Sequence, residues 1–412
     1  MMAQLAGSGM LGLPHSDTPG PPAMPRHEPL YQWTDRVASH FPELPPATAA
    51  VLALWTFGMA LAHACALTAV ALHLAPLLGR AANTVRQRLR EFYKPADRKA
   101  GRGRTQLDPA TCCAPLVRWV TAGWAQRRVA LALDVTNFGD RFHVLACAIA
   151  YRGCAVPVAW SVLKGGQKGS WHEHWCALLG RVRDTLGPGW EVVVLTDRGL
   201  ESSRLFGAIK ALGMHPLMRV KAAGTFRPAG WHRSHRLGEF AAREGQRFAA
   251  AGTAYAKERL PCTLLACRMT GCAEPWLLLT DLAPGAAAPC WYAYRSWIEQ
   301  GFKVVKSGGW DWEATRITAP DRAERQWVAL AVATLWLIEV GGLAEGEPRP
   351  ETVPPLPRPG PGRPRPYRLF RLGLGLVVAG ILAGRVPVGR FIPERWPEPQ
   401  PIPEISEHEF AP

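Results

Sequence analysis

The hydrophobic positions of the chain change their spacing near residue 127. Before that point they recur at helical intervals, and after it short apolar runs alternate with helical segments, which is typical of an α/β domain. The predicted strands are Val129–Val135, Phe142–Ala150, Ala155–Val162, Glu191–Leu195 and Pro216–Val220, and the predicted helices between them are Trp171–Leu186 and Ser202–Leu212. The run Glu191–Leu195 is almost entirely apolar, as expected of a central strand that is buried on both faces.

Residues 221–290 lose this alternation and contain two further β-like runs, Cys262–Met269 and Trp276–Thr280. We interpret them as a β-rich insertion. The helical pattern returns at Trp291–Ser307 and at Gln326–Val340. The sequence therefore predicts an α/β domain over residues 125–342 with an insertion at about 221–290. A Pro-rich C-terminal region, residues 343–412, follows and could serve dimerisation.

The N-terminal part of the chain is predicted to be helical over residues 31–105, after a disordered leader of residues 1–30 that is rich in Pro and Gly. Leu67–Leu78, Gly79 and Ala81–Tyr93 together form a helix-turn-helix pattern. The second helix carries Arg86, Arg88 and Arg90, while Val85, Leu89 and Phe92 are expected to face inward. Two interpretations stay open, a DNA-recognition helix or the solvated basic face of an ordinary helical hairpin. The stretch Lys94–Thr105 is predicted to be a flexible basic linker.

The chain has a formal net charge of +15 and a pI of about 9.7. Such an excess attracts polyanions, either nucleic acid or an anionic membrane surface. From Leu44 to Gly79 there is no charged residue, which is long enough to span a bilayer. This stretch is rich in Ala and is interrupted by Pro46 and Pro76, so a pair of packed helices is favoured over a membrane span. Residues 1–30 lack a continuous apolar segment, so a cytoplasmic protein without a membrane partner is expected.

Two aspartates follow apolar runs. Asp134 follows Val129–Leu133, and Asp197 follows Val192–Thr196. If these two strands are neighbours, both carboxylates lie at one edge of the sheet and repel each other, which a divalent cation would relieve. Oxygen ligands of this kind select Mg²⁺ or Mn²⁺. Taken alone, each aspartate is better explained as the cap of a following turn.

A third acid, Glu299, belongs to the predicted helix Trp291–Ser307. At about 100° per residue, one narrow face of this helix carries the polar residues and the opposite face is expected to pack on the sheet. The polar face consists of Tyr292, Arg295, Glu299, Lys303 and Lys306, and the packing face of Tyr294, Trp297, Ile298, Val304 and Val305. A carboxylate between cations suits a phosphodiester backbone. The alternative is an amphipathic helix with ordinary ion pairs between residues four apart.

These residues carry a resemblance to a known family. The pattern Tyr292-x2-Arg295-x3-Glu299-x6-Lys306 resembles the Tyr-Arg-Glu-Lys signature of bacterial insertion-sequence transposases, which belong to the DDE superfamily. Leu133-Asp134-Val135-Thr136 resembles the first acidic motif of that family, and Asp197-Arg198-Gly199 resembles the second. Lys168-Gly169-Ser170-Trp171 precedes the second motif as in family members, and Trp276–Thr280 resembles the strand that returns from the insertion.

The resemblance implies an RNase H-like mixed sheet flanked by helices, interrupted by the β-rich insertion and preceded by an all-helical DNA-binding domain. It implies that Asp134, Asp197 and Glu299 hold two Mg²⁺ or Mn²⁺ ions roughly 3.5–4 Å apart. The activity would be phosphodiester hydrolysis at transposon ends, followed by transfer of the freed 3′-hydroxyl into target DNA.

The implied partners are double-stranded DNA with terminal inverted repeats and a second copy of the chain, without a small-molecule substrate. Tyr292, Arg295 and Lys306 would contact the DNA backbone. The expected DNA contacts also include residues that this sequence adds, namely Lys303, Arg198, Arg86, Arg88 and Arg90. The alternative is a catalytically silent DNA-binding protein derived from a transposase.

Two features depart from the family pattern or are left open by it. Gly301 lies inside the predicted signature helix, where it costs about 1 kcal/mol relative to Ala. It could mark a close approach of DNA or a degraded copy. Trp231, Trp276 and Trp291 are candidates for stacking a flipped base if a hairpin intermediate forms.

Overall fold

The computed structural model describes residues 27–99, 104–167, 171–345, 368–403 and 405–410. Most of the predicted leader, part of the predicted linker (residues 100–103), Lys168-Gly169-Ser170 and residues 346–367 of the Pro-rich region therefore lie outside the described residues.

The N-terminal region is helical, as predicted. Its described part, residues 27–99, contains the helices α1 (Glu28–His40), α2 (Pro46–Ala62), α3 (Leu67–Leu78) and α4 (Ala82–Tyr93). The predicted helix-turn-helix is present, and Gly79 ends α3 with φ of 56°, in the left-handed region that glycine tolerates. In α4 the three apolar positions Val85, Leu89 and Phe92 are buried and the three arginines are exposed.

The uncharged N-terminal stretch forms two helices. α2 and α3 together are long and apolar enough to cross a bilayer, but they bend by 97° at the break between them. This is the packed helix pair that the sequence favours.

A ten-stranded mixed sheet forms the centre of the molecule. Its strands are β1 (Arg128–Phe138), β2 (Phe142–Tyr151), β3 (Cys154–Lys164), β4 (Glu191–Thr196), β5 (His215–Arg219), β6 (Thr225–Pro228), β7 (His235–Arg236), β8 (Arg247–Ala254), β9 (Leu260–Cys267) and β10 (Trp276–Thr280). Their order is β3-β2-β1-β4-β5-β10-β9-β8-β6-β7. β1, β4 and β5 run parallel, and the other neighbours are antiparallel. The predicted β-rich insertion thus extends the same sheet, because β10 pairs with β5.

The predicted end of the first strand is wrong. β1 continues through Asp134 to Phe138, because its second half forms an antiparallel hairpin with β2 in which Asp134 faces Ala146. The parallel pairing of β1 with β4 ends earlier, at Ala132 opposite Leu195. Asp134 and Asp197 each lie two residues beyond that last pair, so the register brings them side by side.

Within the described residues, six further helices flank the sheet. They are α5 (Cys113–Thr121), α6 (His172–Leu186), α7 (Ser203–Ala211), α8 (Trp297–Lys303), α9 (Pro320–Glu345) and α10 (Leu369–Leu382). Among the helices that the structure describes, α9 is the only one that is by itself long and apolar enough to cross a membrane. However, 94% of its most apolar window is buried inside the protein, where α9 packs on β3, α2 and α10. Glycines allow the close contact of α9 with α10, since a Cβ at Gly373 would lie 1.7 Å from the Leu337 carbonyl oxygen.

The N-terminal helices share one hydrophobic core with the α/β part of the chain. The ring of Trp33 in α1 stacks on Trp336 of α9 with centroids 3.8 Å apart. One turn along, Arg36 forms a 2.8 Å ion pair with the buried carboxylate of Glu339. The helical region is therefore held against α9 by specific polar contacts as well as by apolar packing.

Candidate active site

Strand alternation places Asp134 and Asp197 on the same face of the sheet. Side chains two residues apart on a strand share a face, so Asp134 lies with Ala130, and Asp197 lies with Leu195. Ala130 and Leu195 belong to an apolar cluster that also contains Tyr292. The segment that carries Glu299 therefore covers the face on which the two aspartates lie.

This covering segment is not the single α-helix that the sequence predicts. It begins as a 3₁₀-helix (Pro289–Ser296), continues as α8 and ends as a π-helix (Val304–Gly308). A 3₁₀-helix has three residues per turn, so Tyr292 and Arg295 share a face. Both are buried, 5% and 8% exposed, whereas the sequence placed them opposite the sheet. The predicted single polar face is therefore wrong.

The guanidinium of Arg295 lies between the three predicted acids. Its Nη2 is 2.9 Å from Asp134 Oδ2 and 3.2 Å from Asp197 Oδ2. Its Nη1 is 2.5 Å from Glu299 Oε1. The predicted Arg295–Glu299 pair is confirmed, but sequence reasoning missed the contacts to the two aspartates. No local spacing could reveal them, because they depend on where the 3₁₀-helix crosses the sheet.

Backbone amides hold the second oxygen of each aspartate. Asp134 Oδ1 accepts a hydrogen bond from the amide of Val135 at 2.8 Å. Asp197 Oδ1 accepts from the amides of Gly199 and Leu200 at 3.0 and 3.2 Å. A Cβ at position 199 would lie 3.2 Å from Asp197 Oδ1, so the glycine of the Asp-Arg-Gly motif keeps this turn close to the carboxylate. With Oδ1 fixed in this way, each Oδ2 is directed toward Arg295.

The three acids differ in their exposure to solvent. The pKa of Asp134 is raised to about 6, mainly by burial and to a smaller extent by the nearby carboxylates of Asp197 and Glu299, while Arg295 and the Val135 amide oppose the shift. The side chain of Glu299 is 52% exposed and that of Asp197 is 36% exposed. The site is thus a shallow acidic pocket with Asp134 at its base and Glu299 at its rim.

The donor set suits a hard divalent cation in charge and ligand type, because three carboxylates direct oxygens toward one positive centre. That centre is the guanidinium of Arg295. Among the residues that the structure describes, no group of three or more His, Cys, Asp or Glu side chains is arranged as a metal site. The three acids therefore fit Mg²⁺ or Mn²⁺ only after Arg295 leaves the space between them.

The remaining signature residues, Tyr292 and Lys306, and the added Lys303 have other contacts. Tyr292 packs edge-to-face on Trp276, with ring centroids 5.4 Å apart, and burial raises the pKa of its phenol to about 12. Lys303 is exposed and lines a separate cleft of about 500 Å³. The ammonium of Lys306 lies 5.1 Å from the ring centroid of Phe138, at the end of β1.

Arg198 and the candidate tryptophans also have definite surroundings. Arg198 pairs with Glu274 at 2.9 Å. Trp291 is fully buried and donates its ring N–H to the Pro397 carbonyl, so it is not accessible for stacking a base. Trp276 packs on Tyr292, and Trp231 packs on Phe410 with centroids 5.2 Å apart.

Gly301 has a packing explanation. It lies where α8 crosses β3, and a Cβ there would be 3.4 Å from the Ala155 carbonyl oxygen and 3.8 Å from the Ala155 Cβ. The glycine therefore lies at a helix–strand contact.

A comparison with known proteins assigns the chain to a family. No curated protein matches the chain. A family profile described as "Transposase DDE domain" matches residues 130–336, half of the chain, from the start of β1 into α9. The matched region contains all three acids and Arg295. The chain belongs to the DDE transposase domain family.

Proposed function

We propose that this protein is a DNA transposase that hydrolyses phosphodiester bonds at transposon ends and transfers the freed 3′-hydroxyl into target DNA. One observation carries the proposal. Asp134 lies in β1, Asp197 directly follows β4 and Glu299 lies in α8, and all three converge on a single positive charge. An RNase H-like catalytic core is compatible with the mixed sheet and its flanking helices.

In this proposal the three acids hold Mg²⁺ or Mn²⁺. When bound, the ions supply an activated water and stabilise the departing oxygen. Asp134 and Asp197 contribute rigid ligands, because the backbone amides described above fix their orientation. Glu299 contributes a ligand at the rim, on the side open to DNA.

Arg295 has two roles in the proposal. In the resting site it neutralises the carboxylates, which would otherwise repel one another at this distance. A guanidinium also binds phosphate oxygens in a bidentate manner. We expect an incoming DNA phosphate to draw Arg295 away from the acids, so that DNA binding and metal loading support each other.

The wider DNA contacts belong to the same proposal. Arg198 is next to Asp197 in the chain, so it would meet the backbone near the scissile bond. Lys303 and Lys306 follow Glu299 on the covering segment and would contact the backbone farther from that bond. The expected assembly is a dimer on terminal inverted repeats. Tyr292 is buried, and in this proposal it supports the position of Arg295 from behind.

The test uses purified full-length protein and a plasmid that carries the inverted repeats flanking its gene. With Mg²⁺ we expect double-strand breaks at the repeat boundaries, and with a chelator none. The variant Asp134→Asn should be inactive and folded. Equal cleavage by wild type and Asp134→Asn would overturn the assignment of the acids.

A second candidate, a catalytically silent DNA-binding protein, is favoured by one observation, namely that Arg295 fills the space between the acids. Such a protein would bind the same ends without cutting them. Its DNA affinity would not respond to Mn²⁺, whereas coupled metal and DNA binding predicts tighter binding with Mn²⁺.

A further inference from the structure

A cleft of about 660 Å³ separates the N-terminal helices from the segment that leads into α9. One wall consists of the start of α3 and one side of α4. The other wall consists of residues 314–318 and the first turns of α9. The cleft is lined by Ala66, Leu67, Thr68, Arg86, Arg90, Tyr93, Ala314, Thr315, Arg316, Ile317, Thr318, Arg322 and Gln326.

The lining of this cleft is strongly basic. The described residues that line it include four arginines, two on each wall, and no Asp or Glu. In the described part of the chain, none of the four has a carboxylate oxygen within ion-pair distance. The acids nearby have other partners, since Glu91 pairs with Lys94 and Asp321 pairs with Arg325. Four like charges around one space repel each other unless an anion lies between them.

Specific hydrogen bonds fix both walls of the cleft. Buried Arg325 of α9 donates its Nε–H to the carbonyl of Tyr93, at the end of α4, at 2.8 Å. On the opposite wall Arg141 donates to the carbonyls of Glu313 and Ile317 at 3.0 and 3.2 Å. The arginines of the cleft are therefore mounted on segments that are anchored to each other and to the sheet.

Helix α3 adds a positive end to the cleft. It begins at Leu67, and its first amides have no side-chain capping bond. The N-terminus of a helix carries a partial positive charge and free N–H groups, both of which favour phosphate oxygens. The exposed hydroxyl of Thr68 adds a hydrogen-bond donor.

β1 runs from the candidate active site toward the segment that forms one wall of the cleft. Phe138 lies four positions after Asp134 in β1, about 13 Å away at the rise of a strand. The ring of Phe138 contacts Trp312, with centroids 4.1 Å apart, and residues 314–318 follow at once in the chain. A nucleic-acid backbone in the cleft is thus a few phosphates from the acids.

We propose that this cleft binds backbone phosphates of double-stranded DNA, so that the N-terminal helices and the DDE domain grip one duplex together. The proposal rests on the proposed function in that the same DNA reaches Asp134. The proposal assigns Arg316 and Arg322 to DNA binding, and it places Arg86 and Arg90 on the opposite wall of the same binding cleft.

The test measures binding of the full-length protein to a fluorescein-labelled DNA duplex by anisotropy, over a range of salt concentrations and with a chelator present. A plot of log affinity against log salt concentration has a negative slope, and each lost phosphate contact makes this slope shallower by about one. The variant Arg316→Ala/Arg322→Ala should therefore make the slope shallower by about two and weaken binding at least about tenfold. The matched control, Lys210→Ala/Arg243→Ala, removes two exposed charges outside the cleft.

A slope for the cleft variant equal to that of the control would overturn the proposal. The variant Arg86→Gln/Arg90→Gln alters the opposite wall, so it tests the same prediction if the first variant is unstable. Tighter binding of an RNA duplex of the same sequence would overturn the choice of DNA. The chelator prevents cleavage, so a protein that binds through the cleft but never cuts would contradict the proposed function and leave this inference standing.

Discussion

Asp134 of β1 and Arg295 of the 3₁₀-helix meet in a 2.9 Å ion pair at the base of the acidic pocket. The side chains are only 16% and 10% exposed, so solvent screens their interaction weakly. A buried charge without a partner is unfavourable, and the guanidinium of Arg295 compensates the charge of Asp134. The same pair keeps a cation where the proposed metal ions would bind.

The first prediction concerns metal affinity without DNA. Arg295→Gln removes the competing cation, so Mn²⁺ should bind about tenfold more tightly, equivalent to about 1.4 kcal/mol. Isothermal titration calorimetry on the full chain measures this directly. Arg219→Gln is the control, because Arg219 pairs with Glu274. Unchanged or weaker Mn²⁺ binding by Arg295→Gln would contradict a blocking role for the guanidinium.

The second prediction separates activity from stability at Glu299. Because this side chain is half-exposed, Glu299→Gln should change the free energy of unfolding by less than about 0.5 kcal/mol. Cleavage should fall more than about a hundredfold, beyond the effect typical of altering a group behind a metal ligand. Thermal unfolding and a cleavage time course measure the two quantities. Glu313→Gln, another exposed acid, serves as the control, and an equal loss of activity in both variants would argue against a specific role for Glu299.

The third prediction compares two helical glycines. At Gly301 a methyl group would make an ordinary contact with Ala155, so Gly301→Ala should be neutral or stabilising by up to about 1 kcal/mol. At Gly58 a methyl group would lie 2.6 Å from Val70 Cγ1 and 2.7 Å from Leu74 Cδ1, where α2 packs on α3. Gly58→Ala should therefore destabilise the protein by about 1–3 kcal/mol. Differential scanning calorimetry measures the stability of both variants. A destabilised Gly301→Ala would show that α8 and β3 pack more tightly than the structure indicates.

Local patterns predicted the parts of the fold that depend on neighbouring residues. The apolar run before Asp197 is a central strand, and the 3.6-residue spacing of Val85, Leu89 and Phe92 is the buried face of α4. Both patterns arise because each apolar side chain is favoured in a buried position, whichever residues it packs against. The ten-stranded sheet flanked by helices and the N-terminal helical region follow from many such patterns together.

The errors in the site arise where tertiary contacts decide the geometry. The segment after Ala288 has helical spacing in sequence, but its contact with the sheet tightens one part to a 3₁₀-helix and widens another to a π-helix. That change rotates Tyr292 and Arg295 into the core. Similarly, Asp134 lies within a strand because pairing with β2 continues past it, which no property of its own run reveals.

The last prediction concerns pH and the contact between α1 and α9. Burial raises the pKa of Glu339 from its ordinary value near 4.5 to about 7, although Arg36 and the ring N–H of Trp119 favour the charged form. Between these two values the folded protein binds more protons than the unfolded chain, so this group makes stability fall as pH rises from about 4.5 to 7. The resulting decrease in the free energy of unfolding is up to about 3 kcal/mol.

The variant Glu339→Gln keeps an oxygen acceptor for Trp119 and Arg36 but does not titrate. Its melting temperature should match that of the wild type near pH 5, where Glu339 is protonated, and exceed it near pH 8, where the wild type holds a buried charge. The variant keeps Glu324, whose pKa burial also raises to about 7, so part of the pH dependence of stability should remain in it. The pH dependence of the variant should therefore be shallower than that of the wild type without disappearing. A wild type that is the more stable of the two at pH 8 would mean that the ion pair with Arg36 outweighs the desolvation of Glu339, and that this contact fastens α1 to α9 most strongly in its charged form.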